Sequence, residues 1–75
     1  MDDKVNYRIR EQTRHLPGIG SYISYDILAY NSVQTIAIVP DVSTDKSFML
    51  KMVQCFNDYE LSLIHLYDVI LDMLE

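Results

Sequence analysis

The stretch Ser21-Tyr22-Ile23-Ser24-Tyr25-Asp26-Ile27-Leu28-Ala29-Tyr30-Asn31-Ser32-Val33-Gln34-Thr35-Ile36-Ala37-Ile38-Val39-Pro40 decides the fold. Two runs rich in Tyr, Ile and Val flank Asn31-Ser32. Such side chains suit a pleated, half-buried surface, and Asn tolerates the left-handed backbone of a tight hairpin. The pattern predicts antiparallel strands at 21–30 and 33–39, joined by a two-residue turn at Asn31-Ser32, with Pro40 ending the second. Tyr30 then pairs with Val33. One face carries Ile23, Tyr25, Ile27, Ile36 and Ile38. The other carries Ser24, Asp26, Leu28, Tyr30, Val33, Thr35, Ala37 and Val39. A one-residue slip would turn the wrong set inward, so the separation itself argues for the register.

Upstream, Val5, Tyr7 and Ile9 alternate with Asn6, Arg8 and Arg10, the period of a strand over 4–15. Leu16-Pro17-Gly18-Ile19-Gly20 is turn chemistry: proline presets φ and glycine permits positive φ. A three-residue loop at Pro17-Gly18-Ile19 puts Val5, Tyr7 and Ile9 on the Ile-rich face. It sets Arg8 opposite Leu28 and Arg10 opposite Asp26, an opposite-charge cross-strand pair on the outer face. A two-residue loop would turn both arginines inward.

Downstream the period changes. Asp41-Val42-Ser43-Thr44-Asp45 offers several N-caps. From 45 to 58 the apolar residues Phe48, Met49, Met52, Val53, Phe56 and Tyr59 recur at helical spacing. Asn57–Leu61 is a break, and Ser62 can cap a second helix over 62–74. That helix has an apolar arc wider than packing on a sheet requires, with a narrow polar stripe of His65, Asp68, Asp72 and Glu75. The expected architecture is α+β. A three-stranded antiparallel meander is covered on its Ile-rich face by two C-terminal helices, order β-β-β-α-α, in a single domain over residues 1–75.

Seventy-five residues with a net charge of −5 and one cysteine limit the functions available. A chain this short buries only about 60% of its unfolded surface. One cysteine can form neither an internal disulfide nor a Cys-rich zinc site. The start Met1-Asp2-Asp3-Lys4 shows no signal-peptide h-region, and no apolar run is long enough to span a bilayer. A cytoplasmic protein with a reduced thiol and no membrane association is expected. The acidic balance argues against binding nucleic acid by bulk charge. Residues 46–75 hold Lys46 and Lys51 against five acids, whereas residues 1–15 hold Lys4, Arg8, Arg10 and Arg14 against three.

Few constellations carry chemistry. His65, Asp68 and Asp72 stand at i, i+3 and i+7, so one helical face presents an imidazole and two carboxylates, the donor types a divalent cation takes. A solvated helix side produces the same spacing. Cys55 falls on the apolar arc of the first helix and reads as a buried packing residue, without the cationic neighbour or helix N-terminus that activates a thiol. Gly18-Ile19-Gly20 lacks the third glycine and the following helix of a dinucleotide loop. Arg8, Arg10 and Arg14 with Tyr22 and Tyr30 form a basic-aromatic outer face, but Asp26 lies among them and the aromatic-glycine signature of an RNA platform is absent. Leu28, Tyr30, Val33 and Val39 on the outer face, with Leu50 on the polar side of the first helix, make a candidate contact surface.

Asp41-Val42-Ser43-Thr44-Asp45, Cys55-Phe56-Asn57 and above all Leu61-Ser62-Leu63-Ile64-His65-Leu66-Tyr67-Asp68-Val69-Ile70-Leu71-Asp72 resemble a family of small bacterial proteins of unknown function. The family pattern expected there is Leu-Ser-Pro-x-His-Leu-x-Asp-Val-x-x-Asp. Leu63 stands in the place of the proline, which removes one helix-start signal. The resemblance covers the last 35 residues or so, and implies no activity. It adds weight to His65, Asp68 and Asp72, either as a site or as residues that cap or hold the turn between the helices.

The function expected from these features is non-enzymatic. The chain is read as a protein-interaction or regulatory module without a cofactor, acting as a homodimer or on a protein partner. The alternative is a small-ligand or divalent-metal-binding domain using His65, Asp68 and Asp72.

Overall fold

A computed structural model describes residues 4–75, so the acidic start at residues 1–3 lies outside the described residues. The elements run β1 (Asn6–Leu16), β2 (Gly20–Tyr30), β3 (Thr35–Ser43), α1 (Lys46–Asp58), a 3-10 turn (Leu63–His65) and α2 (Leu66–Leu74). The strands form one antiparallel sheet in the order β1-β2-β3. The architecture is thus α+β, a meander followed by two helices.

The first hairpin follows the sequence pattern closely. Leu16 pairs with Gly20 across the three-residue loop, Arg8 with Leu28 and Arg10 with Asp26. Ile19 donates its N–H to the Leu16 carbonyl, and Gly18 takes φ +80, a conformation open to glycine.

The second hairpin departs from the expected register for two separate reasons. The first is the turn. The Asn31 side chain accepts from the N–H groups of both Val33 and Gln34 at 2.9 Å, and the Asn31 N–H donates to the Gln34 carbonyl. This Asx turn makes the loop four residues long, so Tyr30 pairs with Thr35 rather than Val33. A shift of two preserves the faces. The second reason is a bulge at Ile36, between the pairs Tyr30–Thr35 and Ala29–Ala37, and this odd shift turns β3 over. Ala37 and Val39 therefore join Ile27 and Ala29 on the inner face, while Ile38 pairs with Leu28 on the outer one.

β3 then bulges again between Ile27–Val39 and Tyr25–Ser43 and extends to Ser43, four residues beyond the expected end. Asp41 takes φ +53 there. Pro40, without an N–H to give the ladder, sits in this irregular stretch, where proline is tolerated.

The core lies between the inner face and the helices. Tyr7, Tyr25, Ile27, Ala29 and Val39 meet Met49, Met52, Val53 and Phe56 of α1 and Leu66 and Ile70 of α2. The expected cover of an Ile-rich face is only partly realised. Ile27 is fully buried, but Ile23 and Ile38 are nearly half exposed. Ile38 was turned outward by the bulge. Ile23 lies where β1 and β2 run on beyond the last β3 pair, as a two-stranded arm that contributes to a longest dimension of 50 Å.

Tyr7 joins the layers. Its ring meets Phe56 edge-on at 5.5 Å, its hydroxyl donates to the Leu61 carbonyl at 2.8 Å, and its N–H donates to Asn57 Oδ1 at 2.8 Å. Asn57 Nδ2 returns a bond to the Tyr7 carbonyl at 2.9 Å. The Asn57 amide thus caps the open edge of β1 as a peptide of a fourth strand would.

Asp45, from the expected group, is the N-cap of α1, accepting from the Phe48 N–H at 3.0 Å. Cys55 is exposed rather than buried. It lies about 60° beyond Met52 on the helical wheel, past the border of the core arc. The second helix is shorter than expected. Ser62 precedes the 3-10 turn with no side-chain cap bond, and α2 begins only at Leu66.

Candidate functional site

The expected metal face does not assemble. His65 ends the 3-10 turn with φ −101 and ψ 0, outside α2, whereas Asp68 and Asp72 lie within it. The spacing i, i+3, i+7 therefore no longer describes one regular helix. Among the described residues, no three His, Cys, Asp or Glu side chains are grouped to hold a metal ion.

The expected contact surface of Leu28, Tyr30, Val33, Val39 and Leu50 is also divided. Val39 is 8% exposed and belongs to the core, because the Ile36 bulge turned it inward. Leu28 stands on the outer face as expected but is 7% exposed, between its cross-strand neighbours Arg8 and Ile38. Tyr30 is half-buried, with the Arg8 guanidinium 5.0 Å from its ring centre. Only Val33 and Leu50 are well exposed, one in the Asn31 turn and the other on α1.

The outer face is organised around Asp26. Its carboxylate is fully buried although both helices of the described residues pack on the other side of the sheet. Arg10 directs Nε and Nη2 to Oδ2 at 3.1 and 2.8 Å. Arg14 directs Nη2 to Oδ1 at 2.6 Å while its Nε donates to Ser24 Oγ. The Asp41 N–H, turned inward by the second bulge, completes the set at 2.8 Å. Burial alone would raise the Asp26 pKa. The Asp41 N–H bond, the Arg10 and Arg14 hydrogen bonds and the Arg14 charge outweigh it and hold the carboxyl below its ordinary value.

Tyr22 extends the cluster through a hydrogen bond from its hydroxyl to Asp41 Oδ2 at 3.2 Å. Desolvation, reinforced by the charge and bond of Asp41, raises its pKa. The sequence pairing located Arg10 on Asp26. It missed Arg14, which stands opposite Tyr22 and reaches along the face, and Asp41, whose role depends on a bulge. Every acceptor of Asp26 is satisfied and no enclosed pocket exists among the described residues, so the cluster acts as a polar fastening of the sheet.

Exposed apolar side chains gather elsewhere, on α2. Leu66 and Ile70 of α2 are buried, but Tyr67 and Leu71 are each 60% exposed and Leu74 is 47% exposed. Ile64 in the preceding turn is 82% exposed. Positions 67, 71 and 74 share one helical stripe, bordered on its far side by Asp68, Asp72 and Glu75. The wide apolar arc read from the sequence is thus real, and about half of it is exposed among the described residues.

Among the described residues no helix is long and apolar enough to cross a membrane. No family model, no curated protein and no solved structure matches the chain.

Proposed function

We propose that this chain is a non-enzymatic protein-interaction module that docks on a larger partner through α2. The observation that carries this reading is the exposed stripe of Tyr67, Leu71 and Leu74, extended by Ile64. Apolar anchors at i, i+4 and i+7 are the pattern by which an amphipathic helix enters a groove. The bordering acids give the partner its chemistry: an apolar groove with lysine or arginine on one rim. A second copy of α2 fits this surface less well, since it would bring a second acidic border into the same contact.

The test is co-purification from the native cell, followed by affinity measurement with the recovered partner. Leu71→Asp should weaken that binding by about tenfold or more, the effect of truncating or charging a central anchor, and leave the circular dichroism spectrum unchanged. Val33→Asp, in the exposed turn between β2 and β3, should have no effect. A partner held equally by both variants would overturn the reading.

A further inference from the structure

We propose that the open edge of β1 pairs antiparallel with the same edge of a second copy, centred on Thr13. The proposal is independent of the α2 docking face and concerns a different surface.

It begins with which backbone groups face outward. Tyr7 gives both its N–H and its carbonyl to Asn57, so at Tyr7 these groups point away from β2. The β1–β2 register is unbroken from Asn6–Tyr30 to Leu16–Gly20. Alternation along an antiparallel strand then makes Ile9, Glu11, Thr13 and His15 the next residues with outward N–H and carbonyl groups. Among the described residues, nothing hydrogen-bonds the outward groups of Glu11, Thr13 or His15. All three residues are exposed.

The two edges of the sheet are treated differently. β3 carries two bulges and Pro40, devices that blunt an edge against pairing. β1 is capped once, by Asn57 at Tyr7, and runs on from Ile9 to His15 without a bulge, proline or glycine. This open length lies largely on the two-stranded arm, so a second arm can approach it from the side.

Self-pairing is selected by polar complementarity, and the alternative registers are disfavoured by like charges. In a two-fold antiparallel contact, residues equidistant from the centre face one another. Glu11-Gln12-Thr13-Arg14-His15 is complementary about Thr13. Glu11 faces the second copy's His15, Gln12 faces its Arg14, and Thr13 faces Thr13. Threonine pairs and acid–base pairs are favourable across strands. Imidazole donates an N–H to a carboxylate in either protonation state, and only one Glu11 oxygen is engaged, by a long 3.5 Å bond from the Tyr25 hydroxyl. The neighbouring registers are worse. Centring on Glu11 sets Glu11 against Glu11, and centring on Gln12 sets Arg10 against Arg14 twice. Like charges directly opposite are unfavourable.

A contact of this length falls below the ~1,200 Å² of a standard interface, so the association is weak and concentration-dependent. Sedimentation equilibrium of the full chain from about 10 µM to about 1 mM should show a monomer–dimer equilibrium. Thr13→Pro removes an N–H that β2 does not use, at an edge position where proline is tolerated. It should be monomeric with an unchanged circular dichroism spectrum. Glu11→Lys should weaken the dimer by at least about tenfold, equivalent to about 1.4 kcal/mol. Glu11→His combined with His15→Glu should restore it, because the exchanged pair is still complementary. The restoration decides the question even if Thr13→Pro lowers the melting temperature. A wild-type chain that stays monomeric at about 1 mM, or a dimer indifferent to both Thr13→Pro and Glu11→Lys, overturns the proposal. Leu71→Asp should leave this equilibrium untouched, which separates it from the α2 reading.

Discussion

The two faces of the sheet are closed by opposite means. The inner face is apolar: Tyr7, Tyr25, Ile27, Ala29 and Val39 pack on α1 and α2, with one edge-on ring pair and, at the margin, the hydrogen bonds of Tyr7 to Asn57 and Leu61. The outer face has no helical layer, yet Ser24, Asp26 and Leu28 are buried on it. There two arginines and a bulged backbone N–H close over one carboxylate. Both helices of the described residues pack on the inner face. Long arginine stems over a buried acid supply the second cover with side chains of the sheet itself. The inner face should therefore respond to volume, and the outer face to charge and pH.

The largest expected effect breaks the inner face. Phe56→Ala removes the ring that packs on Tyr7 from a nearly fully buried site and should destabilise the chain by about 3–5 kcal/mol. Leu50→Ala, on the exposed side of the same helix, should change stability by less than about 0.5 kcal/mol. Urea denaturation of the two variants measures the contrast. Equal losses would mean that α1 is not seated as described.

The outer face should break differently. Asp26→Asn keeps the shape but removes the charge that Arg10 and Arg14 share. Both arginines are partly exposed and can rehydrate, so the loss should be about 2–3 kcal/mol at neutral pH, short of a fully buried pair. The pH dependence carries the sign. The folded Asp26 carboxyl is depressed below its unfolded value, so the unfolded state binds the proton more readily. Its stabilisation is complete above the unfolded pKa of about 3.9 and is lost as pH falls through the lower folded value. The gap in melting temperature between wild type and Asp26→Asn should therefore be widest near neutrality and close below about pH 4. A gap independent of pH would refute the charged fastening.

How far each face could be read from the sequence follows from the same contrast. The Arg10–Asp26 pairing was legible because β1 and β2 are regular and the turn chemistry of Pro17-Gly18-Ile19 fixes their register. β3 was not. Thr35-Ile36-Ala37-Ile38-Val39 alternates equally well either way up, and the bulge at Ile36 that chooses between the two leaves no mark in a two-residue period. Val39 and Ile38 exchanged faces for that reason alone. Asp41 was hidden by the second bulge, and Arg14 by its length, since it stands opposite Tyr22 and reaches along the face to Asp26. On α2 the apolar excess was visible, but which part of it faces solvent depends on where the helix begins. His65 and its 3-10 turn decided that.

Asn57 tests how the inner face is held at its margin. Its amide makes two bonds to the Tyr7 backbone at 2.8 and 2.9 Å. Asn57→Ala leaves that N–H and carbonyl unpaired at a half-buried edge and should destabilise by about 1–2 kcal/mol. It also lengthens the open edge of β1 toward the core. Hydrogen exchange should accelerate at the Tyr7 amide while the Asp41 amide, bonded to Asp26, stays protected. Loss of protection at both would show that the two faces open together.

The smallest expected effect is a gain, and it asks whether the faces are independent. Glu60 ends α1 in the left-handed region at φ +50, with the Leu61 N–H bonded to the Phe56 carbonyl and the Glu60 N–H to that of Asn57. This is the Schellman arrangement, which glycine fits without strain. The turn carries the Leu61 carbonyl onto the Tyr7 hydroxyl, so it serves the inner face only. Glu60→Gly relieves the backbone but forfeits an exposed 3.6 Å ion pair with Lys4. Exposed pairs contribute about 0–1 kcal/mol. Glu60→Ala loses the same pair and keeps the strain, so Gly over Ala isolates the backbone effect, expected at about 1 kcal/mol in favour of Gly. Glu60 shares no partner with Asp26. The Gly-over-Ala difference should therefore be the same, within about 0.5 kcal/mol, in the wild-type and Asp26→Asn backgrounds. A larger discrepancy would mean that strain at the end of α1 is felt through the sheet, and that the apolar face and the charged face form one cooperative unit rather than two separate closures.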